Sequence, residues 1–422
     1  MINLKVLIEI NGLNVHAGNI YGETTKDARF RYADDYLCNN ENRAISLSLP
    51  LNEVEFDPMR TKNYFEGLLP EGFTRRCVAQ WIHSDAEDYI SILKELGKEC
   101  LGAVKIVSED DPEVLPDYKL LDKSQVEKLA REGASEAADI VTKSHLSLTG
   151  ASGKVGLYFD KENNAWYRPI GSAPSTHIVK QSHVRLERIV TNEQLCLLTA
   201  KKLGLEVPES FIIRSEENDA DTLLFATERY DRKISDNARR INDLVLPYRL
   251  HQEDFAQALG VPAADKYEKN NAHYLKRAFD ILLKYSANPL TDQLKLWDIC
   301  IFNYLVGNTD NHIKNLSLLY STDMKRIRLA PAYDIVSTVI YESSTENMAL
   351  SIGGNYDIYK ISRESFEKEA KDIGIGQSIA MKHFDDMCNK FEKTLLLSGR
   401  ELENLGFSHA QKLADRILSK RK

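Results

Sequence analysis

The chain has 422 residues, of which 43% are hydrophobic and 28% charged, and a formal net charge of −8. Those proportions belong to a globular protein large enough for two or three cores, and the acidic balance argues against broad attraction to nucleic acid or an anionic membrane. No apolar run reaches bilayer-spanning length, Met1–Lys5 does not open a signal peptide, and the six cysteines, none in a C-x-x-C pair, read as reduced thiols, most of them in a core.

Taken in order, Lys5 to Tyr21 alternates apolar and polar residues around Asn11-Gly12, the pattern of a hairpin. Arg29–Leu37 and Ala44–Leu49 are expected as further strands. From Tyr64 the period turns helical through Ile82, and again over Ser91–Leu96 as far as Gly97, before Gly102–Val107 returns to a strand. The acidic, proline-marked stretch Ser108–Pro116 is the expected linker.

A helix is expected over Lys123–Ala138. Beyond it, Leu146–Phe159 sets two strand-like runs around a segment rich in glycine and hydroxyls. Glycine lets backbone N–H groups approach phosphate oxygens closely, so this segment reads either as a phosphate cradle or as an ordinary hairpin turn. It is not a Walker A loop, because Leu148 stands where its first glycine belongs and Val155 where it needs Ser or Thr. The strand Ser175–Lys180 ends in a lysine suited to nucleotide phosphates or simply to solvent. A helix over Glu193–Leu203, with Thr191 and Gln194 as its capping box and Gly204 as its stop, offers Glu193 as a partner for that lysine. Glu187 is the alternative. In Leu223–Arg232 a strand runs into polar residues. Either the main chain at Glu228 and Tyr230 meets an adenine edge, or Glu228, Arg229 and Asp231 form a local salt bridge. A capped helix is expected over Arg249–Gly260, and the rest is mainly helical, including Glu364–Leu397 and His409–Lys420.

One helix, expected after the cap Thr291 and ending at Gly307, leads into Asn308–Lys314 and then the apolar run Leu316–Tyr320. Asp310 and Asn315 stand there in D-x-x-x-x-N spacing, that of a protein-kinase catalytic loop, and Asp334 follows in LAPAYDIVS. One carboxylate for the attacking hydroxyl, with an Asn and an Asp for magnesium, makes a phosphoryl-transfer set. Without that chemistry the same residues would only close a helix. His312 lies in the loop, where an orienting hydrogen bond suits it better than acid–base work.

Together these stretches resemble the HipA family, kinase toxins of bacterial toxin–antitoxin modules. The resemblance runs through NYFEGLLPEG, GKECLGAVKIV, LSLTGASGKVGL, STHIVK, NEQLCLLTAKKLGL, ATERYDR, RLHQEDFAQALG, NYLVGNTDNHIKN and LAPAYDIVS, in that order. It implies an α+β, two-lobed protein-kinase-like fold: an N-terminal subdomain over 1–107, a strand-rich N-lobe over 108–232 and a helical C-lobe over 233–422. It implies ATP and Mg2+ as cofactors. Asp310 would then be catalytic, Asn315 and Asp334 the Mg2+ ligands, and Lys180 the ATP lysine. Glu228 and Tyr230 would lie at the adenine hinge, with His312 beside the nucleotide. Ser147, Leu148, Thr149, Gly150, Ala151, Ser152, Gly153 and Lys154 would form the phosphate loop. Ser147 aligns with the serine that the family autophosphorylates as an off switch, with Thr149 and Ser152 as competitors. Asn311 stands where the family commonly has glycine.

The resemblance further implies a cytoplasmic Ser/Thr kinase that arrests growth by phosphorylating an aminoacyl-tRNA synthetase. Its partner would be a small HipB-like antitoxin, through which it would touch DNA. Two other classes fit less of the sequence. An inactive co-repressor has no need of Asp310, Asn315, Asp334 and Lys180 together; a small-molecule or lipid kinase shares the fold but differs in substrate.

Overall fold

The computed structural model describes residues 1–108, 115–132, 154–181, 186–214, 223–235, 239–269 and 272–421. Packing divides the chain into two compact units. The first comprises Met1–His183, Ile213–Ala263 and Leu319–Arg326; the second comprises Val184–Ile212, Ala264–Leu318 and Ile327–Lys422.

In the first unit the N-terminal hairpin forms as expected, with Ile2–Ile10 against Leu13–Gly22. Asn11 and Gly12 both take positive φ, 50° and 81°, the turn geometry that matches the right-handed strand twist. Arg29–Tyr32, Glu55–Phe56 and Val104–Ser108 complete an antiparallel sheet, ordered Glu55–Phe56, Arg29–Tyr32, Leu13–Gly22, Ile2–Ile10, Val104–Ser108. Phe30, Tyr32, Phe56 and Phe65 pack ring on ring in the core beneath it.

Two expected strands are corrected. The first stops at Tyr32 and gives way to a short helix, Asp34–Cys38. Ala44–Leu49 forms no strand, because side chains satisfy its main chain. The Ile45 N–H donates to Tyr32 Oη (3.1 Å), the Leu47 N–H to Glu253 Oε1 (3.1 Å), and the Leu49 carbonyl accepts from Tyr32 Oη (2.6 Å). The expected helix over Arg249–Gly260 shrinks to Phe255–Leu259, since Asp254 and Gln257 form the capping box that starts it.

Also in this unit, Leu224–Glu228, His177–Gln181, Lys154–Asp160, Ala165–Ile170 and Asp117–Leu121 lie side by side in that order. The helix expected over Lys123–Ala138 is described for Lys123–Glu132.

The second unit is mainly helical, with Ile189–Lys202, Tyr274–Tyr285, Pro289–Val306, Arg363–Ile373, Gln377–Asn404 and Ala410–Ser419. Trp297, fully buried, donates its indole N–H to the Ala380 carbonyl at 2.9 Å and packs edge-on against Phe366. Helix starts fall earlier than the capping residues suggest: Thr191 lies inside Ile189–Lys202, and Pro289, at the first turn after Asn288, starts the helix in which Thr291 lies. The long expected C-terminal helix is two, parted at Gly374 with φ 82°. All six cysteines are free thiols; Cys100, Cys196 and Cys300 are buried, while Cys38 is exposed. Among the described residues no helix is long and apolar enough to cross a membrane.

Candidate active site

The D-x-x-x-x-N segment lies in the second unit. Pro289–Val306 ends at Gly307, whose φ of 71° closes the helix. The chain then turns on its own side chains. Asn308 takes its N–H to the Asn303 carbonyl (2.8 Å) and its amide to Asn303 Oδ1 (2.7 Å), while its own Oδ1 accepts the Asp310 N–H (3.1 Å). The Asp310 carbonyl accepts from the His312 N–H (2.8 Å) and from Asn315 Nδ2 (3.0 Å). Asp310 and Asn315 are thereby brought together, with the Asn315 NH2 committed to the Asp310 main chain.

Asn308, Thr309, Asn311, His312, Lys314 and Asn315 are all buried, whereas Asp310 is exposed. Hydrogen bonds through Asn308 and Asn315 offset much of the cost of burying these polar groups, and the loop presents one exposed carboxylate. Asn311 is not among the residues with positive φ, so replacing the family's glycine there strains nothing. Tyr267 donates its hydroxyl to Asp310 Oδ1 (2.5 Å), and its ring meets the His312 ring edge-on. The His312 ring thus packs against Tyr267, and its main chain bonds within the loop.

The segment carrying Asp334 is fastened to this loop and to a helix. The Gly307 carbonyl accepts from the Thr338 and Val339 N–H groups and from Thr338 Oγ1, at 3.0–3.1 Å. Asn192, fully buried on the helix Ile189–Lys202, donates Nδ2 to the Ser337 carbonyl (2.9 Å) and accepts the Ser337 N–H on Oδ1 (3.1 Å). Tyr333 donates its hydroxyl to the Lys314 carbonyl (3.0 Å). Asp334 itself has φ 58°, a conformation an Asp tolerates and most residues do not. Asn315 and Asp334 supply hard oxygen donors, the chemistry Mg2+ takes when phosphates and water complete its shell. Sequence reasoning missed Asn192, Tyr267 and Thr338; Asn192 stood in view between the expected cap Thr191 and the helix from Glu193 but was given no role.

In the first unit, Lys180 lies in His177–Gln181, 9% exposed, directly opposite Lys154 on one neighbouring strand and Phe225 on the other. Its ammonium stands 5.5 Å from the Phe225 ring centre. Opposed residues share a sheet face, so both lysines lie on one side of the sheet. The loop residues Ser147, Leu148, Thr149, Gly150, Ala151, Ser152 and Gly153 lie outside the described residues. The local salt bridge expected among Glu228, Arg229 and Asp231 forms in part. Arg229 and Asp231 do pair, at 2.7 Å, but the Glu228 side chain pairs with Lys161 instead. Tyr230 donates its hydroxyl to Gln252.

Behind that strand lies a buried charge network. Glu99 accepts from Arg229 (3.2 Å), Arg232 (2.6 Å) and Arg249 (2.5 Å), and Asp231 Oδ2 accepts the Gly102 N–H (2.7 Å). Burial opposes ionisation of Glu99, yet the guanidiniums of Arg232, Arg249 and Arg229 hold its carboxyl down at about 2. Burial and the nearby Arg249 push Lys105, at the edge of the cluster, down to about 7.

Two family models match the chain: the HipA-like C-terminal domain over residues 146–395 and the HipA N-terminal domain over residues 9–107. Y4mE of Sinorhizobium fredii, provisionally named a kinase, is 32% identical over 88% of this chain and 87% of its own. The serine/threonine-protein kinase toxin HipA of Shewanella oneidensis is 25% identical over 82% of this chain and 79% of its own. The fold matches that of the solved complex of Shewanella oneidensis HipA, HipB and operator DNA with TM-score 0.79 and 20% identity. That likeness covers 99% of this chain and 96% of the other.

Proposed function

We propose, because this chain belongs to the HipA family, whose members are named as kinases, that it is an ATP- and Mg2+-dependent serine/threonine protein kinase and the toxin of a toxin–antitoxin module. The observation that carries the reading is the exposed Asp310 carboxylate on an otherwise buried loop, with the Asn315 amide anchored to its main chain.

In this reading Asp310 accepts the proton of the attacking hydroxyl as its oxygen bonds to the γ-phosphorus. The bond from that phosphorus to the β-bridging oxygen breaks, and ADP leaves with the electron pair. Lys180 and Lys154 neutralise phosphate charge, and the main chain from Glu228 to Tyr230 receives the adenine. Mg2+, held by Asn315 and Asp334, would supply further neutralisation of the phosphate oxygens. Ser147, with Thr149 and Ser152 as alternatives, is the proposed self-phosphorylation site, where a phosphoserine beside ATP phosphates would repel them.

The division into 1–107, 108–232 and 233–422 is proposed as the functional one. The proposed substrate is an aminoacyl-tRNA synthetase in the bacterial cytoplasm. The proposed partner is a HipB-like antitoxin, in keeping with the complex that the structural relative forms.

Intact-mass spectrometry after incubation with Mg-ATP tests this, beside Asp310→Ala. A phosphate on Ser147, Thr149 or Ser152, absent from the variant, supports the kinase. The absence of both phosphate transfer and ATP binding would sink it and favour a co-repressor.

A further inference from the structure

An exposed aspartate samples several rotamers unless a neighbour holds it. Asp310 has such a neighbour in Tyr267, which arrives from outside the catalytic loop. The hydroxyl donates to Asp310 Oδ1 at 2.5 Å. The ring lies 5.2 Å from the His312 ring at 85°, and the carbonyl of the preceding Lys266 accepts the Ile313 N–H at 3.4 Å. Hydroxyl, ring and main chain of one short segment all meet the loop that carries Asp310. The segment is itself fixed on its far side. The Glu268 N–H donates to the Ala349 carbonyl (2.9 Å), and its carboxylate accepts the Ser351 N–H (2.8 Å), both on the strand Asn347–Ile352.

The geometry points to Tyr267 as a positioning residue of phosphoryl transfer: its hydroxyl orients the Asp310 carboxylate by one oxygen, so that the other meets the proton of the acceptor hydroxyl. This rests on the kinase reading of Asp310. Orientation of a base contributes to the chemical step and little to nucleotide binding, because catalysis needs the reacting groups held within a narrow geometry.

The test compares wild type, Tyr267→Phe, Tyr267→Ala and Asp310→Ala, reading ADP release and self-phosphorylation with Mg-ATP. ATP affinity by calorimetry and the melting temperature are measured on the same samples. Tyr267→Phe keeps the ring against His312 and removes only the hydroxyl. It should lose about 10- to 100-fold in kcat while ATP affinity and melting temperature stay at wild-type values, with Tyr267→Ala no less impaired. Wild-type kcat in Tyr267→Phe would overturn the proposal and leave the ring as mere packing. A faster Tyr267→Phe would overturn it too, by making Tyr267 an occupant of the acceptor position. So would a phosphate mapped to Tyr267. Should wild type show no Asp310-dependent turnover, the kinase reading fails and this inference with it, which is a result distinct from the others.

Discussion

At the scale of single residues, the proposed catalytic loop depends on a glycine. Gly307 has φ 71°, and a Cβ built there would stand 2.2 Å from Cγ2 of Val339. Valine is stiff about χ1, so the clash would fall on the backbone that Thr338 and Val339 tie to the Gly307 carbonyl. Gly307→Ala should cost about 1–3 kcal/mol in urea unfolding and lower self-phosphorylation at least tenfold, with Asp310 intact. Gly204→Ala is the control. Its φ is 93° but nothing lies within 4 Å of the added carbon, so a small loss of stability with normal activity is expected. Asp310 and Asn315 were legible in the sequence because their relation is local: the five-residue spacing alone brings side chain to main chain. Tyr267 and Asn192 were not, since their partners lie 43 and 145 residues away and nothing in either's neighbourhood encodes a distant hydroxyl or carbonyl.

At the scale of elements, two buried carboxylates bind the N-terminal sheet region to the strands and helix that follow. Glu99 meets three guanidiniums at full burial, so removing its charge leaves them uncompensated. Glu99→Gln should lower stability by about 3–5 kcal/mol, whereas Glu55→Gln, which loses the half-exposed pair with Arg29 and still offers an oxygen to the Tyr21 hydroxyl, should change little. A urea midpoint for Glu99→Gln equal to wild type would show that the network fixes no more than side-chain positions.

Glu253 behaves in the opposite sense. Burial pushes its carboxyl up to about 7, against the donors Ser46, Tyr320 and the Leu47 N–H that favour the charged form. Its folded pKa thus lies above the unfolded value of about 4.3, and the folded state binds the proton more tightly between the two. Stability from this group is complete below pH about 4.3 and is lost as pH rises through about 7. Glu253→Gln mimics the protonated form, so its melting temperature relative to wild type should climb from pH 5 to pH 8; a flat difference would reject the assignment. The same carboxylate explains why Ala44–Leu49 misled the sequence reading. Its alternation suits a strand, but its main chain bonds side chains instead: the Leu47 N–H reaches Glu253 some two hundred residues on, and Ile45 and Leu49 bond Tyr32. The capping signals misled differently. Thr191 and Thr291 have the right chemistry for caps, yet packing carries both helices past them to Ile189 and Pro289.

At the scale of the whole molecule, the order of motifs was legible and the division into units was not. Leu319–Arg326 packs with the first unit although both flanks belong to the second, and Val184–Ile212 does the reverse. Such exchanges are set by long-range contacts, which leave no periodic trace in the sequence. Charge, by contrast, is legible at this scale and bears on partners. Non-specific DNA affinity comes from cations that release phosphate counterions, and it reaches only about 10⁻⁴–10⁻⁶ M at physiological salt for proteins equipped for it. A chain of net charge −8 starts with the opposite bias. Fluorescence anisotropy with a labelled duplex at physiological salt should therefore give the isolated chain a Kd weaker than about 10⁻⁵ M. If a HipB-like antitoxin brings the pair to DNA, its addition should tighten binding with a salt slope equal to that of the antitoxin alone. A steeper slope for the pair would mean that cations of this chain also reach the phosphates, and the proposal of purely indirect DNA contact would have to be abandoned.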